Sequence, residues 1–384
     1  MSLICIGRFP YPEGMASTKR VQHFLDAFQS AGQDVSVLLL GTPPWPGQEK
    51  KGNFKEIPYQ VLPIGNSNWK RLLSIPMIVL LVRELLVKRK SMDAHNTVYI
   101  YDGINFENFA LAWLARKLGY KVVVDIVEDY TSEPGTIGWG RKLNLKFQNW
   151  SECHLHQLVD GVVVISTYLE TKLRKQTQNK VPIALISIAT KIVEGLPERK
   201  SDEQMVKFIY SGSFGEKDGV DVLLNAFDKV SARFSNCQLL LSGKGRNAAK
   251  YKDDNTNEKV VFVGYLDDKS FYQFLAEGDA MCMTRIESQF ANAGFPFKLG
   301  EYLATGKPVI ASEVGDVGHY LSDKENALLV QPGDSATLQK AMEFVLTRPS
   351  EAAEIGMRGR EACKRHFSAE KNGKMLLNFI NSLH

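Results

Sequence analysis

Short apolar runs alternate with segments of helical periodicity along most of this chain. Residues 3–6 read as a strand, followed by a loop over 8–16. Val21, Phe24, Leu25 and Phe28 then recur at i, i+3, i+4 and i+7 behind Ser17 and Thr18, which predicts a helix entered from a polar cap. Further strands are expected at 34–40, 97–101, 121–127 and 161–165, with helices over 107–118 and 142–158. The unbroken run Val122-Val123-Val124 predicts burial on both faces, as in a parallel sheet covered by helices.

Periodicity is lost and charge gained over 189–205, which reads as a linker. A second alternation follows, with strands at 207–212, 238–241, 260–263, 280–283 and 308–311. Helices are expected at 220–233, 270–276, 336–346 and 351–365. The expected fold class is therefore α/β, with two Rossmann-like, doubly wound domains facing each other across a cleft, where open α/β sheets bind ligands. The domain bounds are 1–188 and 206–368, with a last helix at about 369–384 packing back on the first domain.

A length of 384 residues allows two to three domains, and 44% hydrophobic with 23% charged residues is ordinary globular composition. The net charge of +4 is too small to imply a nucleic-acid partner. It is unevenly spread: residues 1–187 hold 22 basic and 16 acidic side chains, the remainder 25 and 27. Cys5, Cys153, Cys237, Cys282 and Cys363 are scattered and form no C-x-x-C pair, so neither a disulfide framework nor a zinc site is expected. No signal-peptide pattern follows Met1. These features predict a cytoplasmic protein.

Residues 68–90 hold six basic side chains and one acid around the apolar run 75–82. That run is far short of the roughly 20 residues needed to span a bilayer. Two readings stay open: a helix that covers the sheet, or an interfacial helix at the inner face of an anionic membrane.

The most informative stretch begins at Asn292. A Gly-Pro loop precedes a helix carrying Lys298 and Glu301 in its first turns. Free N–H groups at such a helix start suit a diphosphate, Lys298 adds a point charge, and Glu301 suits two ribose hydroxyls. The competing reading is a solvated i, i+3 ion pair. In the first domain Glu128 and Asp129 follow a strand at its carboxyl edge; they suit orientation of an acceptor hydroxyl or sugar, or form only a solvated turn.

The stretch Phe295-Pro-Phe-Lys-Leu-Gly-Glu-Tyr-Leu-Ala-Thr-Gly-Lys-Pro-Val-Ile-Ala-Ser312 resembles the donor-binding motif of family 4 glycosyltransferases, which have the GT-B fold. Residues 208–227, 239–245, 260–266 and 326–334 resemble further strands and loops of the same domain, in order. Over 1–190 the resemblance is looser and rests on the loop at Gly14 and on 159–166.

This resemblance implies a retaining transferase that moves a sugar from a nucleotide-sugar to a carbohydrate or lipid-linked acceptor, in polysaccharide or glycolipid synthesis. It implies that Glu301 holds the ribose, that Asn292, Gly294 and Phe295 meet the diphosphate, and that Gly264, Tyr265 and Leu266 face the base. Gly212 and Ser213 form the second domain's glycine loop, and Gly14 lets the first-domain loop approach the donor.

Three positions depart from the family pattern. Ala293 stands at the first Glu of the Glu-x7-Glu pair, as in relatives with the Phe-Pro-x-Lys form. Ser213 replaces a phosphate-binding Arg, and Asp218 precedes Gly219 where Lys is common. The phosphate charge then falls to Lys217, Lys298 and Arg285, with Lys217, Lys298 and Glu128 as catalytic candidates and Asp129 on the acceptor side.

No cofactor or metal is expected, because no Asp-x-Asp motif is present. The rivals are a GT-B epimerase or phosphorylase and a non-catalytic nucleotide-sugar binder. Gly243-Lys-Gly-Arg-Asn-Ala248 fits a dinucleotide fingerprint only formally, since no acid ends the next strand, and an NAD enzyme is disfavoured.

Overall fold

The alternation resolves into two α/β units in a computed structural model that describes residues 2–41, 49–65, 68–90, 95–130, 138–192, 205–245 and 247–384. One unit comprises Met1–Ala189 with Ala369–His384, the other Thr190–Ser368.

The first unit opens with β1 (Ser2–Gly7), α1 (Ala16–Ser30), β2 (Asp34–Leu40), β3 (Lys51–Phe54), β4 (Ile57–Leu62) and α2 (Asn68–Arg89). It continues with β5 (Asn96–Tyr101), α3 (Phe106–Lys117), β6 (Lys121–Ile126), α4 (Trp139–Cys153) and α5 (Leu155–Leu158). Then come β7 (Gly161–Val164), α6 (Thr167–Thr177) and β8 (Ile183–Leu185). The sheet order is β3-β4-β2-β1-β5-β6-β7-β8, parallel throughout except for the antiparallel edge pair β3–β4. Strand order reverses between β1 and β5, so the loops after these two strands flank the crevice where such sheets bind ligands. All six residues of β1 and of β5 are buried, as strands covered on both faces require.

A buried polar knot ties this unit together. The Arg20 guanidinium, on α1, donates to both Asp125 oxygens, at 2.8 and 3.1 Å, and to the carbonyls of Ile186 and Ser187. Tyr99 donates to the same carboxylate at 2.5 Å. Each guanidinium nitrogen and both carboxylate oxygens have a partner, which makes burial of the charge tolerable.

The second unit contains β9 (Val206–Gly212), a 3₁₀ turn (Glu216–Asp218), α7 (Val220–Arg233), β10 (Cys237–Gly243), α8 (Ala248–Asp254) and β11 (Val260–Gly264). It proceeds through α9 (Asp268–Glu277), β12 (Ala280–Met283), α10 (Gln289–Ala293), α11 (Phe297–Ala304), β13 (Val309–Ser312) and α12 (Val317–Tyr320). β14 (Leu328–Val330), α13 (Ser335–Thr347) and α14 (Pro349–Phe367) complete it. All strands are parallel, in the order β11-β10-β9-β12-β13-β14, with the reversal between β9 and β12. Phe208, Tyr210, Phe227, Leu239, Leu241 and Cys282 lie in its core, beneath α7 and α13.

α15 (Ala369–Ser382) belongs to the first unit and lies on α1. A Cβ on Gly373 would come within 2.3 Å of the Ala27 Cβ, so glycine permits the close approach. Asn372 Nδ2 donates to the Ile188 carbonyl at 2.6 Å.

Several local expectations change. α1 starts at Ala16, with Met15 as an N-cap that makes no side-chain hydrogen bond. Ser17 and Thr18 lie inside the helix, because the Thr18 hydroxyl ties back to the Pro10 carbonyl instead of capping. The expected helix 142–158 begins earlier, at Trp139, and breaks at His154, whose ring stacks on Trp150. β3, β4 and β8 were not legible as strands; β3 and β8 are edge strands of three or four residues. Of the expected linker, residues 193–204 lie outside the described residues; Thr190 N donates to the Phe367 carbonyl at 2.7 Å.

Candidate functional site

At the switch point of the second unit, β9 ends in Gly212 and the chain enters the loop that leads to the 3₁₀ turn. The Asp218 carboxylate organises that loop. It accepts from the Ser213 hydroxyl at 2.5 Å and from the Gly215 amide at 3.0 Å. Its backbone carbonyl accepts from Thr284 Oγ1, at the end of β12, at 2.9 Å. Gly219 follows with φ +60°, and a Cβ there would lie 2.1 Å from the Thr284 carbonyl oxygen, so both conformation and space require glycine.

Two further glycines let adjacent strand ends touch. Gly212 and Gly243 are register partners on β9 and β10. A Cβ on Gly243 would stand 1.9 Å from the Gly212 oxygen, and one on Gly245 would stand 1.5 Å from the Ser213 oxygen. A Cβ on Gly212 itself would meet Lys298 Nζ at 2.4 Å.

Lys298 reaches this place from α11, an amphipathic helix whose buried face includes Leu299, Tyr302 and Leu303. Its Nζ lies 3.3 Å from Asp218 Oδ1 and 3.3 Å from the Tyr210 hydroxyl, with the amine 4.3 Å from the Tyr210 ring centroid. Tyr302, one turn along, anchors the same helix to β9: its hydroxyl accepts from the Ser211 amide at 2.7 Å.

Burial lowers the Lys298 pKa and outweighs the opposing pull of Asp218. For Asp218 the balance reverses. Burial alone would raise it, but Lys298, the Ser213 hydroxyl, Arg285 and the Gly215 amide together hold it below the ordinary carboxylate range. The Arg285 guanidinium, after β12, donates to the Ala291 carbonyl at 3.3 Å, and the Lys217 amine lies 4.3 Å from the centroid of the Phe290 ring. Both cations act electrostatically on the Asp218–Lys298 pair. Lys217, Lys298, Arg285, Gly212 and Ser213 thus gather around one loop.

Glu301 lies one turn beyond Lys298 and is 9% exposed. The alternative of a solvated Lys298–Glu301 pair does not hold, since Lys298 pairs with Asp218 instead. Asn292 Oδ1 is buried and has no hydrogen-bond partner among the described residues. Gly294 ends α10. The Phe295 side chain is 5% exposed and packs on Tyr320 and Phe367, which leaves only its backbone available to a ligand. Gly264, Tyr265 and Leu266 stand at the end of the edge strand β11. The Tyr265 ring is 45% exposed, with Lys244 Nζ 4.1 Å from its centroid.

In the first unit, Gly14 sits where a Cβ would meet Thr18 Oγ1 at 2.0 Å. Glu128 is half-buried after β6. Asp129 turns inward: Lys172 pairs with it at 2.9 Å and Tyr168 donates to it at 3.2 Å. With 2% of its surface exposed, Asp129 serves the packing of α6.

One acid escaped the sequence reading. Asp102, just after β5, accepts from the Tyr130 hydroxyl at 2.9 and 3.1 Å. Burial first, then the charges of Glu128 and Asp125, push its pKa up to about 7. The signal was an Asp-Gly step closing an apolar strand, and both residues have φ +73°. Among the described residues no group of three His, Cys, Asp or Glu side chains gathers as a metal site.

Residues 206–348 match the family model described as glycosyl transferases group 1. A phosphatidyl-myo-inositol mannosyltransferase of Mycobacterium leprae is 29% identical over 160 residues, which is 41% of this chain and 42% of that protein. A lipopolysaccharide core biosynthesis glycosyltransferase, LpsE of Rhizobium meliloti, is 29% identical over 163 residues, 41% and 45% of the two chains. The chain spans about half the length of the curated relatives it matches.

Among solved structures, the sucrose-phosphate synthase of Thermosynechococcus elongatus superposes with a TM-score of 0.79 at 18% identity, covering 100% of this chain and 99% of that one. Anabaena HepE, solved with UDP-glucose, superposes at 0.71 with 15% identity over 100% of both chains. The chain thus has the GT-B fold, and its residues 206–348 are similar to group 1 glycosyl transferases.

Proposed function

We propose that this protein is a retaining glycosyltransferase that moves a sugar from a nucleotide-sugar to a carbohydrate or lipid-linked acceptor, in polysaccharide or glycolipid synthesis. The observation that carries the reading is the Lys298 amine, held 3.3 Å from Asp218 where β9 ends beside the start of α11. It restores a cation to a loop in which Ser213 and Asp218 stand where the resembled family has Arg and Lys.

Lys298, at the N-terminus of α11, neutralises the diphosphate as the bond from the sugar anomeric carbon to the phosphate oxygen breaks. The acceptor oxygen forms its bond on the same face, and its proton passes to the leaving phosphate. Arg285 and Lys217 add charge nearby. The buried Asn292 Oδ1 needs a hydrogen-bond donor, and a donor-substrate hydroxyl or amide supplies one. Glu301 takes the ribose hydroxyls, and Glu128 orients the acceptor. The nucleotide-sugar bound by HepE, and the phosphatidyl-myo-inositol and lipopolysaccharide core in the names of the relatives, support this class of donor and acceptor.

Steady-state kinetics on two variants tests the placement. The ribose does not react, so Glu301→Gln should mainly raise the donor KM, by about 10- to 150-fold for a lost charge-assisted hydrogen bond. The phosphate gains charge in the transition state, so Lys298→Ala should depress kcat more than it raises KM. Wild-type constants in both variants would refute the assignment. Ser213, Asp218 and Ala293 favour a second reading, a nucleotide-sugar binder without turnover. Nucleotide-sugar binding with no transfer or hydrolysis would select it.

A further inference from the structure

The first unit carries an apolar cavity that the donor site does not use. It has a volume of about 60 Å³ and lies among the first turns of α2, α3 and α4. Each of these helices follows a parallel strand, so the cavity stands at the carboxyl edge of the sheet, as do Asp102 and Glu128. Leu72, Ile75, Phe106, Trp139 and Leu143 supply its walls. Phe106 is held in place by stacking on Phe147, with centroids 4.1 Å apart.

The surroundings are apolar and cationic together. Trp139 is 68% exposed, and Leu73, Met77 and Leu80 continue the apolar surface along α2 at i, i+4 and i+7, at 78%, 47% and 66% exposed. Exposed Lys70, Arg141 and Lys142 flank it. At the polar edge, Arg71 pairs with the buried Glu107. Arg8, leaving β1, feels the charges of both Arg71 and Glu107, and makes no hydrogen bond or ion pair among the described residues. Arg71 thus takes the one carboxylate while Arg8 stands within reach of both charges, which leaves a net positive charge beside an apolar slot.

We infer that this cavity binds a lipid phosphate, with the head-proximal carbons of its chain in the slot of Leu72, Ile75, Trp139 and Leu143 and the phosphate at Arg8 and Arg71. Sugar rings need hydrogen-bonding walls, which this lining lacks apart from Asn144 and the Arg71–Glu107 edge. The inference rests on the proposed transferase reading and deepens it: the acceptor is a phosphate-linked lipid presented from a bilayer, and the exposed stripe of α2 rests on that bilayer.

The test is calorimetric binding to the full chain below micellar concentration. Farnesyl phosphate and dihexanoyl phosphatidic acid separate isoprenoid from acyl chains, and inorganic phosphate and farnesol serve as the single-feature probes. One of the two lipid phosphates should bind at least about ten-fold more tightly than either single-feature probe. Leu143→Gln should weaken that lipid phosphate about ten-fold, and Arg8→Gln should weaken it without affecting farnesol. The thermal shift given by a nucleotide-sugar should be unchanged in both variants, which shows that they fold. Lipid phosphates binding no better than inorganic phosphate, or equally well to wild type and both variants, would overturn the inference. Lipid binding without any sugar transfer would instead sink the transferase reading and leave the cavity assignment standing.

Discussion

Asp218 and Lys298 form an ion pair, 3.3 Å from carboxylate oxygen to amine, that joins the 3₁₀ turn after β9 to the first turn of α11. Asp218 occupies a position where the resembled family has lysine, and the cation arrives from eighty residues downstream on another element. The carboxylate thus turns a loop without its own cation at that position into a seat for one. It also holds the loop, through Ser213 and the Gly215 amide.

Asp218→Asn should therefore loosen both the loop and the lysine. Removing one member of a buried pair costs about 3–5 kcal/mol, and because Lys298 remains 17% exposed the lower end is expected. Asp218 is held below its ordinary pKa, so its stabilisation is complete above the unfolded value, about pH 4, and fades as acid protonates the folded carboxylate. Melting temperatures of the two proteins should differ most near neutral pH and draw together below pH ~4. Equal stability at pH 7 would show that the pair does not hold the loop.

Asp102 works in the opposite direction. Its folded pKa, about 7, lies above the unfolded value, so the folded state binds more protons between these limits and stability falls as pH rises through that window. Asp102→Asn keeps an acceptor for Tyr130 and suits the positive φ. It should gain on the order of 2 kcal/mol relative to wild type at pH 8 and little at pH ~4. Denaturant titrations at both pH values decide the matter. A constant difference between the proteins would mean that Asp102 does not titrate in this range.

Gly243→Ala places a methyl group against the Gly212 carbonyl, at 1.9 Å, on a backbone with φ +134°. Neither strand end can move without breaking the β9–β10 ladder, so a loss of about 3 kcal/mol or more is expected. Nucleotide-sugar binding should fall with it, because Gly212 faces Lys298. Gly333→Ala is the control: it shares a positive φ, +76°, but nothing stands within 4 Å of the added carbon. If the two substitutions cost the same, the close approach is not what selects glycine at 243.

α2, over residues 68–89, presents two different faces. Ile78, Val82 and Leu86 are buried on one face, while Leu73, Met77 and Leu80 remain exposed on another. No helix among the described residues is long and apolar enough to cross a membrane. Vesicles containing anionic lipid should sediment the protein at low salt, and less so as ionic strength rises. Replacing Lys88, Arg89 and Lys90 with Gln should weaken this without lowering the melting temperature. Absence of sedimentation at low salt would leave α2 a packing element only.

Chelation gives a further check on the chemistry. With lysine and helix amides neutralising the leaving diphosphate, activity after exhaustive removal of divalent ions should stay within a few-fold of the starting value. Loss that magnesium or manganese restores would assign that charge to a metal.

The apolar strands and amphipathic helices were legible because local periodicity dictates them: 280–283 and 220–233 run as read, and most other elements shift by a residue or two. The motif around Glu301 was legible too, since a glycine loop before a helix start is a local chemical pattern. Three things belong to the tertiary structure alone. The partner of Lys298 is Asp218, not the nearer Glu301, because strand order brings the loop after β9 against α11. Asp129 turns inward to Lys172 while Glu128 keeps partial access, a choice made by the packing of α6. The pKa of Asp102 depends on burial between β5 and β6 and on the neighbouring carboxylates. Periodicity and motifs depend on neighbours along the chain, whereas pairing, burial and proton affinity depend on neighbours in space.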